Sequence, residues 1–154
     1  MRHFSIASRL QVSPATAWRH AVSPEGVNRE FRPLLRMTFP PHTPDLTESW
    51  KPGERRFRSW LLLGGFLPVD YDDVRFVEVE RGRRFLERST LFSQRTWQHE
   101  RIIEADERGC VLTDRVAFLP RVRILGAIHG LVFRAAFRLR HRNLRRDFGG
   151  VAAV

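Results

Sequence analysis

One cysteine, one lysine and one tyrosine are all that this 154-residue chain holds of those three residues. With Cys110 alone no disulfide can form within the chain, which fits a reducing compartment. Long hydrophobic runs are missing as well. Spanning a bilayer takes roughly 18–20 apolar residues, and the best stretch, Ile124 to Phe133, is bounded by Arg123 and Arg134. The opening MRHFSIASRL is too short of apolar residues for a secretory signal. A cytoplasmic protein is the expectation. The six histidines fall at 3, 20, 42, 99, 129 and 141, with no HExxH and no CxxC. Neither GxSxG, GxGxxG nor a Walker A sequence occurs. These absences argue against metal, hydrolase, nucleotide and dinucleotide chemistry, so no metal and no cofactor are expected.

What is present is apolar residue at 42% and a formal charge of +10. The first marks a globular chain, long enough to bury a core as one domain. The charge is unevenly placed. Residues 121–148 hold eight arginines and a single acid, Asp147, a net of +7, which leaves +3 for residues 1–120. Lys51 is the one basic residue that is neither arginine nor histidine. A cluster of arginine without an RNP-type aromatic signature is weak support for nucleic acid, and no specific nucleic acid is expected.

Phe4, Ile6, Leu10 and Val12 predict a half-buried first strand. Ser13-Pro14 and Ser23-Pro24 then predict two short helices, each with serine as cap and proline at the first helical position. The proline-rich stretch 32–44 reads as a loop or an edge segment. From Trp50 to Pro120 β-type residues are punctuated by Pro52-Gly53, Gly64-Gly65, Arg81-Gly82 and Arg108-Gly109, the spacing of four or five antiparallel strands. Val74 and Phe76 alternate in one phase and Val77 and Val79 in the other, which predicts a bulge. A long helix follows, and GGVAAV reads as a frayed tail. Residues 1–148 are thus expected to form the domain and 149–154 a flexible end.

The last hairpin can be placed in register. A two-residue turn at Glu107-Arg108 sets Trp97 opposite Phe118, His99 opposite Val116, Arg101 opposite Asp114 and Ile103 opposite Leu112. That face is the more apolar and should point inward. It carries His99, Arg101 and Asp114 with it, and burial requires such charges to be paired.

The residues Trp97-x-His99, Gly109, Thr113-Asp114-x-Val116, Phe118, Pro120 and Leu125-Gly126, with the early SPATAW and SPEGV, resemble the SRPBCC superfamily of START-like, pollen-allergen-like and polyketide cyclase/dehydrase-like proteins. PRVRILG lacks the first glycine common before the last helix in that family. The resemblance implies an α+β helix-grip fold. In it a curved antiparallel sheet of six to seven strands wraps on the C-terminal helix around a hydrophobic cavity, with two short helices after the first strand. It implies a lipid-like or polyketide-like ligand; a cyclase/aromatase-like enzyme using the same cavity is the alternative. On that reading Phe66, Tyr71, Phe76, Phe92, Trp97, Phe118, Ile128 and Val132 supply apolar contacts. His99, Arg101 and Asp114 orient the ligand, with Arg101 meeting any acidic group. Residues 64–68, GGFLP, suggest a gate.

On the last helix Ile124, Leu125, Ile128, Leu131, Val132, Ala135, Ala136 and Leu139 form a wide stripe expected to face the sheet. Gly126 and Gly130 fit a close approach to the sheet or a widened cavity. Phe133, Phe137, Leu144 and Phe148 run down the other side. Either a loop covers that second stripe or it is an interface. With the arginines around it, weak contact with an anionic membrane and a homodimer both stay open.

Overall fold

In the computed structural model, which describes residues 1–153, β1 (Arg2–Leu10) leads into α1 (Pro14–Ala21) and α2 (Pro24–Phe31). Both helices begin as their sequences dictate. Ser13 Oγ accepts from the Thr16 amide at 3.2 Å and Ser23 Oγ from the Gly26 amide at 3.0 Å, each with proline next in the chain. After the edge strand β2 (Leu35–Met37) come β3 (Phe57–Leu63), β4 (Leu67–Val74), β5 (Phe76–Glu80), β6 (Arg84–Leu91), β7 (Gln94–Asp106) and β8 (Gly109–Pro120). A short 3-10 turn opens α3 (Gly126–Phe148), and β9 (Gly150–Ala153) closes the described chain.

The strands form one antiparallel sheet in the order β2-β3-β4-β6-β7-β8-β1-β9, with β5 on β6. α3 lies across its concave face. The β7–β8 register is the one the turn residues predict, Arg101 opposite Asp114 and Trp97 opposite Phe118. All eight inward positions of that pair are buried. The phase change in β5 is a bulge between Phe76 and Glu78. Gly64 and Gly65 both take positive φ in the three-residue tip between Leu63 and Leu67, a backbone region that favours glycine.

Three expectations are corrected. Among the described residues the sheet has nine strands rather than six to seven. The additions include β2, three residues in the proline-rich stretch, and β9, four residues in the supposed tail. Residues 149–153 are not a frayed end: β9 pairs with Ala7–Leu10 along the free edge of β1. Val154, which the tail expectation included, lies outside the described residues.

The third correction concerns α3. Its expected inner stripe faces outward: Ile124 is 84% and Leu131 71% exposed, and Leu125, Ile128, Val132 and Ala135 are exposed as well. Ala136 alone of that set is buried. The buried face runs through Ala136, Phe137, Arg140, His141, Asn143 and Leu144, flanked by Phe133 and Phe148. Counting apolar residues favoured the aliphatic stripe. Large aromatic rings and three buried polar side chains decided the orientation, and a hydrophobic pattern scores those polar residues on the wrong side.

Gly109 packs where the β7–β8 turn meets the end of β1. A Cβ there would lie 2.2 Å from the Leu10 carbonyl oxygen and 2.8 Å from that of Val12. Gly53 also has positive φ but has no atom within 4 Å of such a Cβ. Gly109→Ala should therefore cost ~3 kcal/mol, against ~1 kcal/mol for Gly53→Ala, in denaturant unfolding. Equal losses would mean that backbone conformation, not the close approach, sets the cost.

Candidate functional site

The inner face of the sheet is divided by a band of polar side chains running from β4 to β1. Its centre is Arg101, which is fully buried. Its Nε and Nη2 donate to Asp114 Oδ1 and Oδ2, both at 2.7 Å. Its Nη1 and Nη2 donate to Glu30 Oε1 and Oε2 at 2.7 and 2.9 Å. Glu30 comes from α2 and also accepts from Arg140 Nε on α3 at 2.7 Å. Asp114 takes two further bonds, from His99 Nε2 at 2.9 Å and His141 Nε2 at 3.0 Å. An ionised carboxylate only accepts, so both imidazoles present N–H at Nε2. Ser8 Oγ lies 2.8 Å from His141 Nδ1 and is itself bonded by Arg145. Burial opposes the charge on Glu30, but the Arg101 and Arg140 guanidiniums beside it hold its carboxyl far below the usual range. Burial likewise works against Asp114, and Arg101 again prevails. The same two carboxylates raise Arg101 against its own desolvation.

Beside this band is a cavity of about 430 Å³ between the sheet, α2, β2 and α3. Val27, Phe31, Met37, Phe57, Phe76 and Phe137 represent its apolar wall. Leu34, Leu63, Val69 and Val132 line it and are also exposed, which places the mouth among them. Polar groups reach the wall from Asp70, Asp72, Glu87, Ser93, His99, His129 and Arg140. Along β4 the alternation Asp70, Asp72, Val74 sets these on the cavity side and turns Tyr71 outward. Asp72 and Glu87 are both buried. Burial, with the Glu87 carboxylate next to it, pushes Asp72 well above the ordinary range. Burial acts on Glu87 in the same direction, but the attraction of His99 nearby, with the hydrogen bond from Ser89, leaves it below its ordinary value. The pair therefore keeps one proton. At the mouth Ser93 Oγ donates to Asp70 Oδ2, and Gln94 Nε2 donates to His129 Nδ1 at 2.9 Å.

Of the residues expected in the site, Phe76, Trp97, His99 and Val132 line the cavity. Arg101 and Asp114 sit behind the wall with their bonding capacity turned to Glu30, His99 and His141, so Arg101 is not placed to meet a ligand's acidic group. Phe118 is buried under Phe133, whose ring lies 5.0 Å away. Tyr71 packs on the outer face against Trp60 and Phe92, under the Arg58 guanidinium. Phe66 at the hairpin tip is 80% and Phe92 64% exposed. Ile128 is on the outer side of α3. Sequence reasoning missed Phe31, Phe57, Phe85, Phe137, Asp72 and Glu87. Inward alternation on β4 and β6 could have found the two acids; Glu87 pairs directly with His99 across β6–β7.

Among the described residues no group of side chains could hold a metal ion, and no helix is long and apolar enough to cross a membrane. A curved antiparallel sheet holding a long C-terminal helix beside an internal cavity defines a helix-grip protein. Residues 8–148 match the family model described as a domain of unknown function, DUF8410, and the chain belongs to that family. No curated protein matches the sequence. Among solved structures, protein CV1439 from Chromobacterium violaceum is similar, with a TM-score of 0.75 and 11% identity over 97% of this chain and 99% of that one. The AHSA1 protein from Silicibacter pomeroyi aligns with a TM-score of 0.67 and 12% identity, over 95% and 99% of the two chains. DynU16, from the dynemicin biosynthetic locus, aligns with a TM-score of 0.62 and 14% identity over 96% of this chain, which spans 48% of DynU16. These likenesses show the fold.

The buried acids should respond to neutralisation with opposite signs. Glu30 is ionised in the folded state at pH values where an ordinary carboxylate has taken a proton. Its contribution is present at neutral pH and fades as the pH falls below the carboxylate range. Asp72 keeps a proton that the unfolded chain gives up, so its cost grows as pH rises through that range. Glu30→Gln should cost ~3–5 kcal/mol at neutral pH. Asp72→Asn should raise the melting temperature there, with the gain shrinking on acidification. Thermal unfolding of both variants across pH checks the pair; loss of stability in Asp72→Asn at neutral pH would contradict the assignment.

Proposed function

We propose that the chain is a binding protein for a hydrophobic or amphipathic small molecule, lipid-like or polyketide-like, akin to the ligand-binding SRPBCC proteins. The observation that carries this reading is the cavity of about 430 Å³, whose wall is apolar apart from a few convergent polar groups. Small-molecule sites have this volume and this composition, and burial of the ligand's apolar surface supplies the affinity. Binding is favoured over cyclase-like turnover because Arg101 and Asp114 are fully engaged within the protein and do not reach the cavity. A cytoplasmic location is part of the same reading.

Native mass spectrometry of protein purified from its own host should show a retained small molecule. Ala136 is buried and lines the cavity. Ala136→Phe should fill the space, costing ~1–3 kcal/mol from overpacking while abolishing retention. A folded Ala136→Phe protein that still carries the same ligand would remove the reading.

A second reading concerns how a ligand enters. Phe66, Leu67 and Val69 on the β3–β4 hairpin, with Ile128, Leu131 and Val132 on α3, are exposed on the two elements that supply the mouth. Arg121, Arg123, Arg134 and Arg138 are exposed on and just before α3. Apolar side chains ringed by cations suit an anionic membrane surface. The protein should co-sediment with phosphatidylserine-containing vesicles more than with phosphatidylcholine alone, and Leu131→Asp should reduce the difference. Equal sedimentation removes the membrane reading; concentration-dependent dimerisation that Leu131→Asp abolishes would assign the surface to a second copy instead.

A further inference from the structure

We infer that Asp72 and Glu87 form the polar end of the cavity and select a neutral hydrophobic molecule bearing a hydroxyl group over the corresponding carboxylate. The inference rests on the binding reading above and adds the chemistry of the head group.

Both side chains line the cavity and both residues are buried. Glu87 Oε1 accepts from Ser89 Oγ at 2.6 Å, and Ser89 Oγ in turn receives the Arg75 amide at 3.1 Å. Glu87 Oε2 is 3.7 Å from His99 Nδ1, too far for a hydrogen bond. Asp72 Oδ1 is buried, and among the described residues no donor reaches it. Arg58 and Arg55 pair with Asp73, the next residue along β4 and on its other face. The cation on the cavity wall, Arg140, is bonded to Glu30 and has its guanidinium over the rings of Phe31 and Phe137, 4.6 and 4.8 Å away.

Two adjacent buried carboxyl groups without an arginine or lysine partner cannot both ionise. They present one O–H, one negative charge and an oxygen lacking a donor. A hydroxyl group matches this set, since it both donates and accepts. A second carboxylate would bring like charge against Glu87 in a low-dielectric space and leave the oxygens facing one another. The mouth repeats the sign with Asp70. The hydrocarbon part of the ligand then lies along Phe31, Met37 and Phe57.

Matched chains of one length isolate the head group. Decanol, decanoate and decylamine are titrated into the full chain at neutral pH by calorimetry. Decanol should bind at least ~10-fold more tightly than decanoate, the size of one hydrogen bond to a charged group. In Glu87→Gln the preference should shrink to within ~3-fold as the negative charge goes. Should Glu87→Gln fail to fold, Asp72→Ala gives the second readout: a ~10-fold loss of decanol affinity with decanoate still the weaker ligand. Decanoate binding as tightly as decanol overturns the inference while leaving the cavity a binding site. So does decylamine binding more tightly than decanol, or a folded Glu87→Gln protein that keeps the full preference. If none of the three binds, the binding reading fails and the selectivity fails with it.

Discussion

The fold turns on how the Arg101 guanidinium is satisfied. Its planar fork meets Asp114 on one side and Glu30 on the other with four hydrogen bonds of 2.7–2.9 Å. One carboxylate belongs to β8 and the other to α2, and Glu30 passes the connection to α3 through Arg140. Strand, short helix and long helix are thereby held by one charge. Removing any member leaves an uncompensated ion in a dry interior. Apolar packing is less particular about registry. It occurs here as two buried clusters, one around Trp18, Phe85 and Leu144 and the other around Phe4, Trp97 and Phe118.

That network also explains why the cavity is not simply filled. Arg140 and His141 occupy the buried face of α3 where further aromatic side chains could have packed on the sheet. They fix how far the helix can settle. Toward the N-terminal end of α3 the wall is made by Phe133 and Val132, and space remains between them and β4. Gly126 shows how close the approach becomes at the helix start, where a Cβ would meet Pro120 Cγ at 3.3 Å. The polar band therefore acts as floor and spacer, while Asp72, Glu87 and His99 are the part of it turned toward the empty space.

How much could be read from the residues follows from the distance over which each pattern acts. The β7–β8 register was legible because a two-residue turn and side-chain alternation determine it locally, and with it came the buried contact of Arg101 with Asp114. The serine caps of α1 and α2 and the bulge in β5 were legible for the same reason. Glu30 was not, since it lies 71 residues before the arginine it completes and looks like an ordinary helix-surface acid. The face of α3 was misjudged because burial there is decided by hydrogen bonds to distant partners, such as Asn143 to the carbonyls of Glu30 and Arg32. Of the aromatic residues expected in the site, Phe76 and Trp97 line the cavity. Tyr71 and Phe92 fell on the outer face because the phase of β4 and the turn after β6 depend on neighbours that periodicity does not see.

The uneven seating of α3 has a mechanical corollary. Its last three turns are bolted down by Arg140, His141, Asn143 and Leu144, whereas its first two rest on the sheet mainly through Gly126 and Phe133. A beam clamped at one end yields first at the other. The easiest excursion is a lift of the opening turns, which widens the entrance and leaves the ionic floor undisturbed. On the binding reading, entry of a guest and global unfolding are separate events, governed by opposite ends of one helix.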